Sequence, residues 1–117
     1  MTFPKDPAAA DYVRRVLLAY KTTPGTTGHV RTADRRLARD LHARGVPLES
    51  VLDAFLLATA RRYGRVAPGS PPATVRSLAY FVTIVDEVIA EPLVDGYRRY
   101  LEAALQQRRI PALGLIR

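Results

Sequence analysis

The sequence predicts an all-α fold, a single domain built as a bundle of about five helices. Apolar residues recur three and four positions apart in five separate segments, which is the spacing of amphipathic helices. Stretches rich in proline and glycine separate these segments. The chain has 117 residues, of which 48% are hydrophobic, and this is enough for one core. We expect one domain over residues 1–117, with an N-terminal arm at 1–6 and a C-terminal tail at 110–117.

The first helix is predicted to begin at Asp6 and Pro7 and to run to about Tyr20. Aspartate is a favourable N-cap, and proline is tolerated at the first helical position. The segment 21–31, KTTPGTTGHVR, follows and is rich in threonine and glycine. That composition predicts a loop.

The second and third helices are predicted to flank a tight turn. Thr32 can cap a helix over about 33–43, and Gly45 suits the left-handed backbone that ends it. The third helix is predicted to begin near Pro47 and to continue to Tyr63. Two helices around a glycine turn are also the arrangement of a helix-turn-helix motif.

The last two helices follow a proline-rich connector at residues 65–74, RVAPGSPPAT. The fourth helix, over about 74–90, is the most apolar and is predicted to be the central core helix. The fifth is predicted over about 93–108, with Val94 and Tyr97 among its inward residues. The tail, IPALGLIR, is expected to be an irregular arm or a partner-binding segment.

The charge balance predicts nucleic acid, DNA or RNA, as the partner. Eighteen Lys and Arg face eleven Asp and Glu, which gives a formal charge of +7. Such an excess attracts polyanions, and sixteen of the eighteen cations are arginines, whose guanidinium groups suit phosphate. A GC-rich genome is an alternative cause of the preference for arginine over lysine, but it does not explain the positive excess.

The basic residues converge at the start of the second predicted helix. That helix end should offer free N–H groups and the positive end of the dipole, which favour phosphate. His29 lies in the loop before it, and His42 lies at the edge of its basic face. The predicted main phosphate contacts are Arg31, Arg35, Arg36 and Arg39, and the candidate extensions are Arg14, Arg15, Arg76, Arg98 and Arg99. The alternative is a solvated face that Asp34 and Asp40 partly neutralise.

The third helix is a poor candidate for reading bases. Its outward face is expected to carry Glu49, Ser50, Asp53 and Ala60. The two carboxylates would repel phosphate, so a plain helical hairpin is favoured over a DNA-reading helix-turn-helix.

Asp34 and a polar row on the fourth helix are expected to stabilise the fold rather than to bind a ligand. Asp34 is expected near the apolar stripe, where it stabilises the helix dipole and pairs with an arginine such as Arg62. The fourth helix is expected to carry an outward row of Arg76, Tyr80, Thr83 and Glu87. That row either stacks on single-stranded nucleic acid or, as we favour, packs against the connector.

The sequence argues against catalysis, metal sites and cofactors. The chain has no cysteine, and its two histidines, His29 and His42, lack a metal-binding spacing. GTTGHVR lacks the spacing of a phosphate-binding loop, and Asp86 and Glu87 point about 100° apart on a helix, so they cannot form a facing acid pair. We expect no signal peptide and no membrane span, and hence a cytoplasmic protein.

Three segments carry a resemblance to a known group of proteins. RTADRRLARDLHARGVPLESVLDAFLLATARR (31–62), RSLAYFVTIVDEVI (76–89) and GYRRYLEAAL (96–105) resemble a family of small uncharacterised bacterial proteins linked to mobile elements. More distantly, LAYFVTIVDEVI is similar to the helix that ends DnaD-type replication-initiation domains. The resemblance implies a helical, non-enzymatic accessory protein of DNA replication or of a mobile element.

Two alternatives to that function stay open. One is a small helical subunit of a larger protein or ribonucleoprotein assembly, such as the small subunit of a CRISPR effector. The other is a protein-interaction module that uses the apolar tail at 110–116.

Overall fold

Five helices account for most of the chain that the computed structural model describes, which is residues 6–108 and residue 110. The helices are α1 (Pro7–Thr22), α2 (Thr32–Ala43), α3 (Leu48–Gly64), α4 (Ala79–Ala90) and α5 (Asp95–Gln107). These residues form no β-strand beyond one isolated bridge, so the predicted all-α single domain is confirmed. Most of the expected N-terminal arm and C-terminal tail lies outside the described residues.

The N-cap of α1 and the C-terminal end of α2 follow from the sequence, whereas the predicted cap of α2 at Thr32 is wrong, because Arg31 is the N-cap and Thr32 is the first helical residue. The Asp6 carboxylate accepts a hydrogen bond from the Ala8 N–H at 3.0 Å, as expected of an N-cap. At the end of α2, Gly45 has a φ of 74°, which glycine adopts without steric cost. The Gly45 and Val46 N–H groups donate to the carbonyls of His42 and Leu41, so α2 ends in a Schellman motif.

The centre of the bundle is α3, and the prediction that α4 occupies this place is wrong. α3 packs against α1, α4 and α5, whereas α2 packs chiefly against α1. Phe55 of α3 contacts the edge of Phe81 of α4 with ring centroids 4.8 Å apart, and Tyr20 of α1 meets Phe81 at 6.1 Å. α4 is apolar on more than its buried side, since Ile89 is 42% exposed.

The fourth helix begins at Ala79, five residues later than predicted, because the preceding segment pairs with a loop. The Val75 N–H donates to the Gly25 carbonyl at 2.7 Å, and the Val75 carbonyl accepts from the Thr27 N–H at 3.0 Å. The Leu78 N–H donates to Asp34 of α2 at 2.9 Å. These bonds hold residues 75–78 in a non-helical path and leave α4 to start after them.

The fifth helix is also shorter than predicted, and two of its expected core residues lie outside. Val94 is 69% exposed and Tyr97 is 45% exposed. α5 packs against α3, and its buried residues are Leu101 and Leu105. The start of the helix therefore extends beyond the core.

Arg62 is buried, but its partners differ from those expected. Its guanidinium donates to the Ala73 carbonyl and lies over the Tyr80 ring, 5.6 Å from the centroid. Gly25 has a φ of 87°, which favours glycine, and a Cβ there would stand 2.6 Å from Arg62 Nη1 and displace the guanidinium. The expected pairing of Arg62 with Asp34 is wrong, since each group is occupied elsewhere.

We expect the free energy of unfolding to fall as pH rises above 10, because the unfolded chain then loses the Tyr12 proton while the folded protein keeps it. Burial raises the pKa of Tyr12 from 10.0 to about 12, and the nearby Arg44 charge opposes this shift. No described residue pairs with the Tyr12 hydroxyl, so Tyr12→Phe should cost little at neutral pH. Urea unfolding between neutral pH and pH 12 should give a shallower alkaline decline for Tyr12→Phe than for wild type.

The matched control is Tyr100→Phe, because Tyr100 is 66% exposed. It should reproduce the wild-type decline. An identical alkaline profile for Tyr12→Phe and wild type would show that Tyr12 does not contribute to it.

Candidate nucleic-acid interface

An open groove of about 790 Å³ runs between α1, α2 and the 21–31 loop, and cations line both of its sides. One wall, from α1, carries Arg14 and Lys21, and the other, from α2, carries Arg35 and Arg39. His29 of the loop also borders the space. We call this feature the α1–α2 groove. It brings together three of the predicted arginines and adds two further basic residues.

The floor of the α1–α2 groove is apolar. The side chains that form it belong to α1 and the loop, and they are Val13, Leu17, Leu18 and Val30. Leu18 is 44% exposed although it is a large aliphatic residue. The groove therefore combines cationic walls with an apolar surface, and Asp6 contributes a carboxylate among its lining residues.

The packing of α2 sets the direction of its arginines. Ala38 and Leu41 are buried, and α2 packs chiefly against α1 through this side. Arg35, Arg36 and Arg39 are all exposed, as predicted. Arg36 lies on the surface of α2 outside the groove lining.

Among the residues that the structure describes, the predicted arginines at the start of α2 have no acidic partner in an ion pair. The ion pairs of the described residues include none of Arg31, Arg35, Arg36 and Arg39. Asp34 does not neutralise them through an ion pair, because its carboxylate is buried and accepts from the N–H groups of Arg31 and Leu78, each at 2.9 Å. The positive charge of these side chains therefore stays available to an anion.

The expected anion site at the α2 N-terminus needs correction. The Arg31 N–H, which begins the helix, already donates to Asp34, and the Asp34 carboxylate lies in the first turn. A buried carboxylate at this end offsets the positive end of the helix dipole. Asp34 therefore weakens the attraction of this helix end for phosphate, and the side chains supply most of the positive charge.

The five candidate extensions fall into different environments. Arg14 and Arg15 are exposed on α1, and both form ion pairs with Asp11, which partly neutralises their positive charge. Arg76 precedes α4 and Arg99 lies on α5, and both are exposed. Of these five residues, only Arg14 lines the α1–α2 groove.

Arg98 has a structural role, and its pairing within the protein makes it a poor candidate for the predicted phosphate contact. Its Nε and Nη2 donate to the two carboxylate oxygens of Asp53 at 3.0 and 2.8 Å. These hydrogen bonds raise the pKa of Arg98 far above its usual range. Asp53 is 4% exposed, so its expected place on the outward face of α3 is wrong as well.

The predicted outward row of the fourth helix is only partly on α4, since Arg76 precedes the helix, and Glu87 and Tyr80 are members with contacts inside the protein. Glu87 accepts two hydrogen bonds from Arg61 of α3, at 2.6 and 2.8 Å, and this contact lowers the pKa of Glu87. Tyr80 and Arg76 border a small hollow together with Pro72 of the connector. The arrangement favours packing against the connector, as expected, over stacking on nucleic acid.

Sequence reasoning missed Lys21 and the apolar floor. Lys21 is seven residues after Arg14, and Leu18 is four residues after it, so the three share one face of α1. An aliphatic residue between two cations on an exposed helical face was the available signal. The sequence alone does not show that α2 packs beside this face of α1, so the pattern did not predict a groove.

No protein-family model, curated protein or solved structure matches this chain. The described residues contain no group of three or more potential metal ligands of the His, Cys, Asp and Glu types. In the same part of the chain, none of the helices has the length and apolar character required to cross a bilayer.

We expect Arg98→Ala to lower the free energy of unfolding by about 3 kcal/mol, because it leaves the buried Asp53 carboxylate without its bidentate partner. Arg99→Ala, the adjacent exposed arginine, is the control and should change stability by less than about 0.5 kcal/mol. Urea titration of both variants measures the difference. Equal stability of the two variants would contradict the structural assignment of Arg98.

Proposed function

We propose that this protein binds nucleic acid through backbone phosphates and uses the α1–α2 groove as its main contact surface. The observation that carries the proposal is the set of cations on both walls of one groove. Arg35 and Arg39 have no acidic partner among the described residues, whereas Arg44, Arg61 and Arg98 on other surfaces are paired. Two unpaired guanidinium groups on the α2 wall, opposite Lys21 and the Asp11-paired Arg14 on the α1 wall, are suited to phosphate.

The overall charge supports the same proposal. A net charge of +7 steers polyanions towards the protein, and each phosphate contact releases counterions. Contacts of this kind carry little sequence information, so we propose binding to DNA or RNA without strong sequence preference. Arg31 and Arg36, exposed beside the groove, extend the cationic surface.

We further propose a non-enzymatic accessory role in replication or in a mobile genetic element, in the bacterial cytoplasm. The resemblance of residues 31–62, 76–89 and 96–105 to mobile-element proteins supports this context. The proposed role consists of binding nucleic acid and includes no reaction, so it needs no metal and no small-molecule cofactor.

A second candidate is a small helical subunit of a larger protein or ribonucleoprotein assembly. Exposed apolar and aromatic side chains on and between α4 and α5 favour a protein partner, and they are Ile89, Val94, Tyr97 and Tyr100. Such a subunit could use the same groove for a nucleic-acid strand within the assembly. Failure of the isolated wild-type chain to bind any nucleic acid at low salt would favour this candidate.

We expect the triple variant Arg35→Ala, Arg36→Ala, Arg39→Ala to bind nucleic acid more weakly than wild type at low salt while keeping its fold. Each lost phosphate contact should reduce the log–log salt slope by about 0.7 to 0.9. Fluorescence anisotropy at several salt concentrations measures both quantities. Circular dichroism checks the fold.

The matched control removes three exposed arginines elsewhere, Arg65→Ala, Arg76→Ala and Arg99→Ala. It changes the net charge by the same amount and should lose less affinity. Equal losses in the two triple variants would mean that binding depends on overall charge and not on the α1–α2 groove.

A further inference from the structure

The α1–α2 groove has a feature that phosphate binding alone does not explain. Val13, Leu17, Leu18 and Val30 form its apolar lining, and Leu18, which lies between Arg14 and Lys21 on one face of α1, is 44% exposed. An aliphatic side chain gains free energy only when an apolar surface covers it. The ligand that complements this groove therefore has both an anionic and an apolar side.

Duplex and single-stranded nucleic acids differ in this respect. A duplex presents phosphates and sugars outwards and stacks its bases inside, so it offers the walls anions but leaves the floor uncovered. A single strand exposes the faces of its bases next to its phosphates. The volume of the open groove, about 790 Å³, lies within the range of pockets for small ligands and is large enough for unstacked bases.

The spacing of the wall residues suits one strand that runs along the helices. Arg35 and Arg39 are four residues apart on α2, and Arg14, Leu18 and Lys21 lie on one face of α1. Residues at such spacing lie one above the other, about 5 to 6 Å apart for each helical turn. A strand in the groove would meet Arg35 and Arg39 at successive turns of α2, and Arg14, Leu18 and Lys21 in turn along α1.

We infer that the α1–α2 groove binds single-stranded nucleic acid in preference to duplex, with phosphates on the arginine walls and bases against the floor around Leu18. This inference rests on the proposed function, because it specifies the ligand of the same site. The arginine guanidinium planes add surfaces on which unstacked bases rest.

The experiment compares a labelled oligothymidine with a labelled hairpin duplex of the same length by fluorescence anisotropy, in wild type and in Leu18→Gln. Wild type should bind the single strand more tightly than the duplex. Leu18→Gln should lose about fivefold in affinity for the single strand, because the floor loses an apolar contact. Its salt slope should match that of wild type, because no phosphate contact is removed.

Ile89→Gln is the control, since Ile89 is 42% exposed on α4, outside the groove. It should bind the single strand as wild type does. Thermal melting by circular dichroism should show that both variants fold.

The possible failures are distinguishable. Equal wild-type affinity for duplex and single strand, or wild-type binding by Leu18→Gln, overturns the single-strand inference and leaves the proposed function in place. Absence of binding to both probes overturns the proposed function itself. An unlabelled acidic amphipathic peptide that binds more tightly than oligothymidine and displaces it would also overturn the inference, since the groove would then fit a protein partner better.

Discussion

The buried carboxylate of Asp34 is the interaction on which the arrangement of the α1–α2 groove depends. One oxygen accepts from the Arg31 N–H at the start of α2, and the other accepts from the Leu78 N–H just before α4. At the other end of the helix, Arg44 pairs with Asp86 of α4 at 2.9 Å. Both ends of α2 are thus tied to α4 or to the segment before it. Its basic side then faces solvent beside α1.

The distribution of paired and unpaired charges follows from this arrangement. Two carboxylates form ion pairs that connect neighbouring helices, in the pairs Arg98–Asp53 and Arg61–Glu87. The carboxylate nearest the basic face, Asp34, is turned inwards and makes backbone hydrogen bonds instead. Like charges on facing walls repel one another and lower stability. A polyanion in the groove would neutralise these charges and remove the repulsion. Binding should therefore stabilise the folded protein.

Local sequence features were sufficient to predict the five helices, the N-cap of α1 and the C-terminal end of α2, and they were insufficient for the N-cap of α2 and for contacts between distant residues. Asp6, Gly45 and the apolar spacing act within a few residues, so the first three helices end close to their predicted bounds. The start of α4 depends on Asp34, which is 44 residues away from Leu78, and the burial of Asp53 depends on Arg98, 45 residues away. The arginines of α2 were predictable as an exposed basic face, whereas the apolar floor required knowledge of how α1 lies beside it.

The free energy of unfolding of Asp34→Ala tests this account most directly. The substitution leaves the buried Leu78 N–H and the partly buried Arg31 N–H without their acceptor. We predict a loss of about 2 to 4 kcal/mol in urea unfolding, and a loss of less than about 0.5 kcal/mol for the exposed control Asp40→Ala on the same helix. A loss for Asp34→Ala no larger than that for Asp40→Ala would contradict the claim that this carboxylate holds α2 in place.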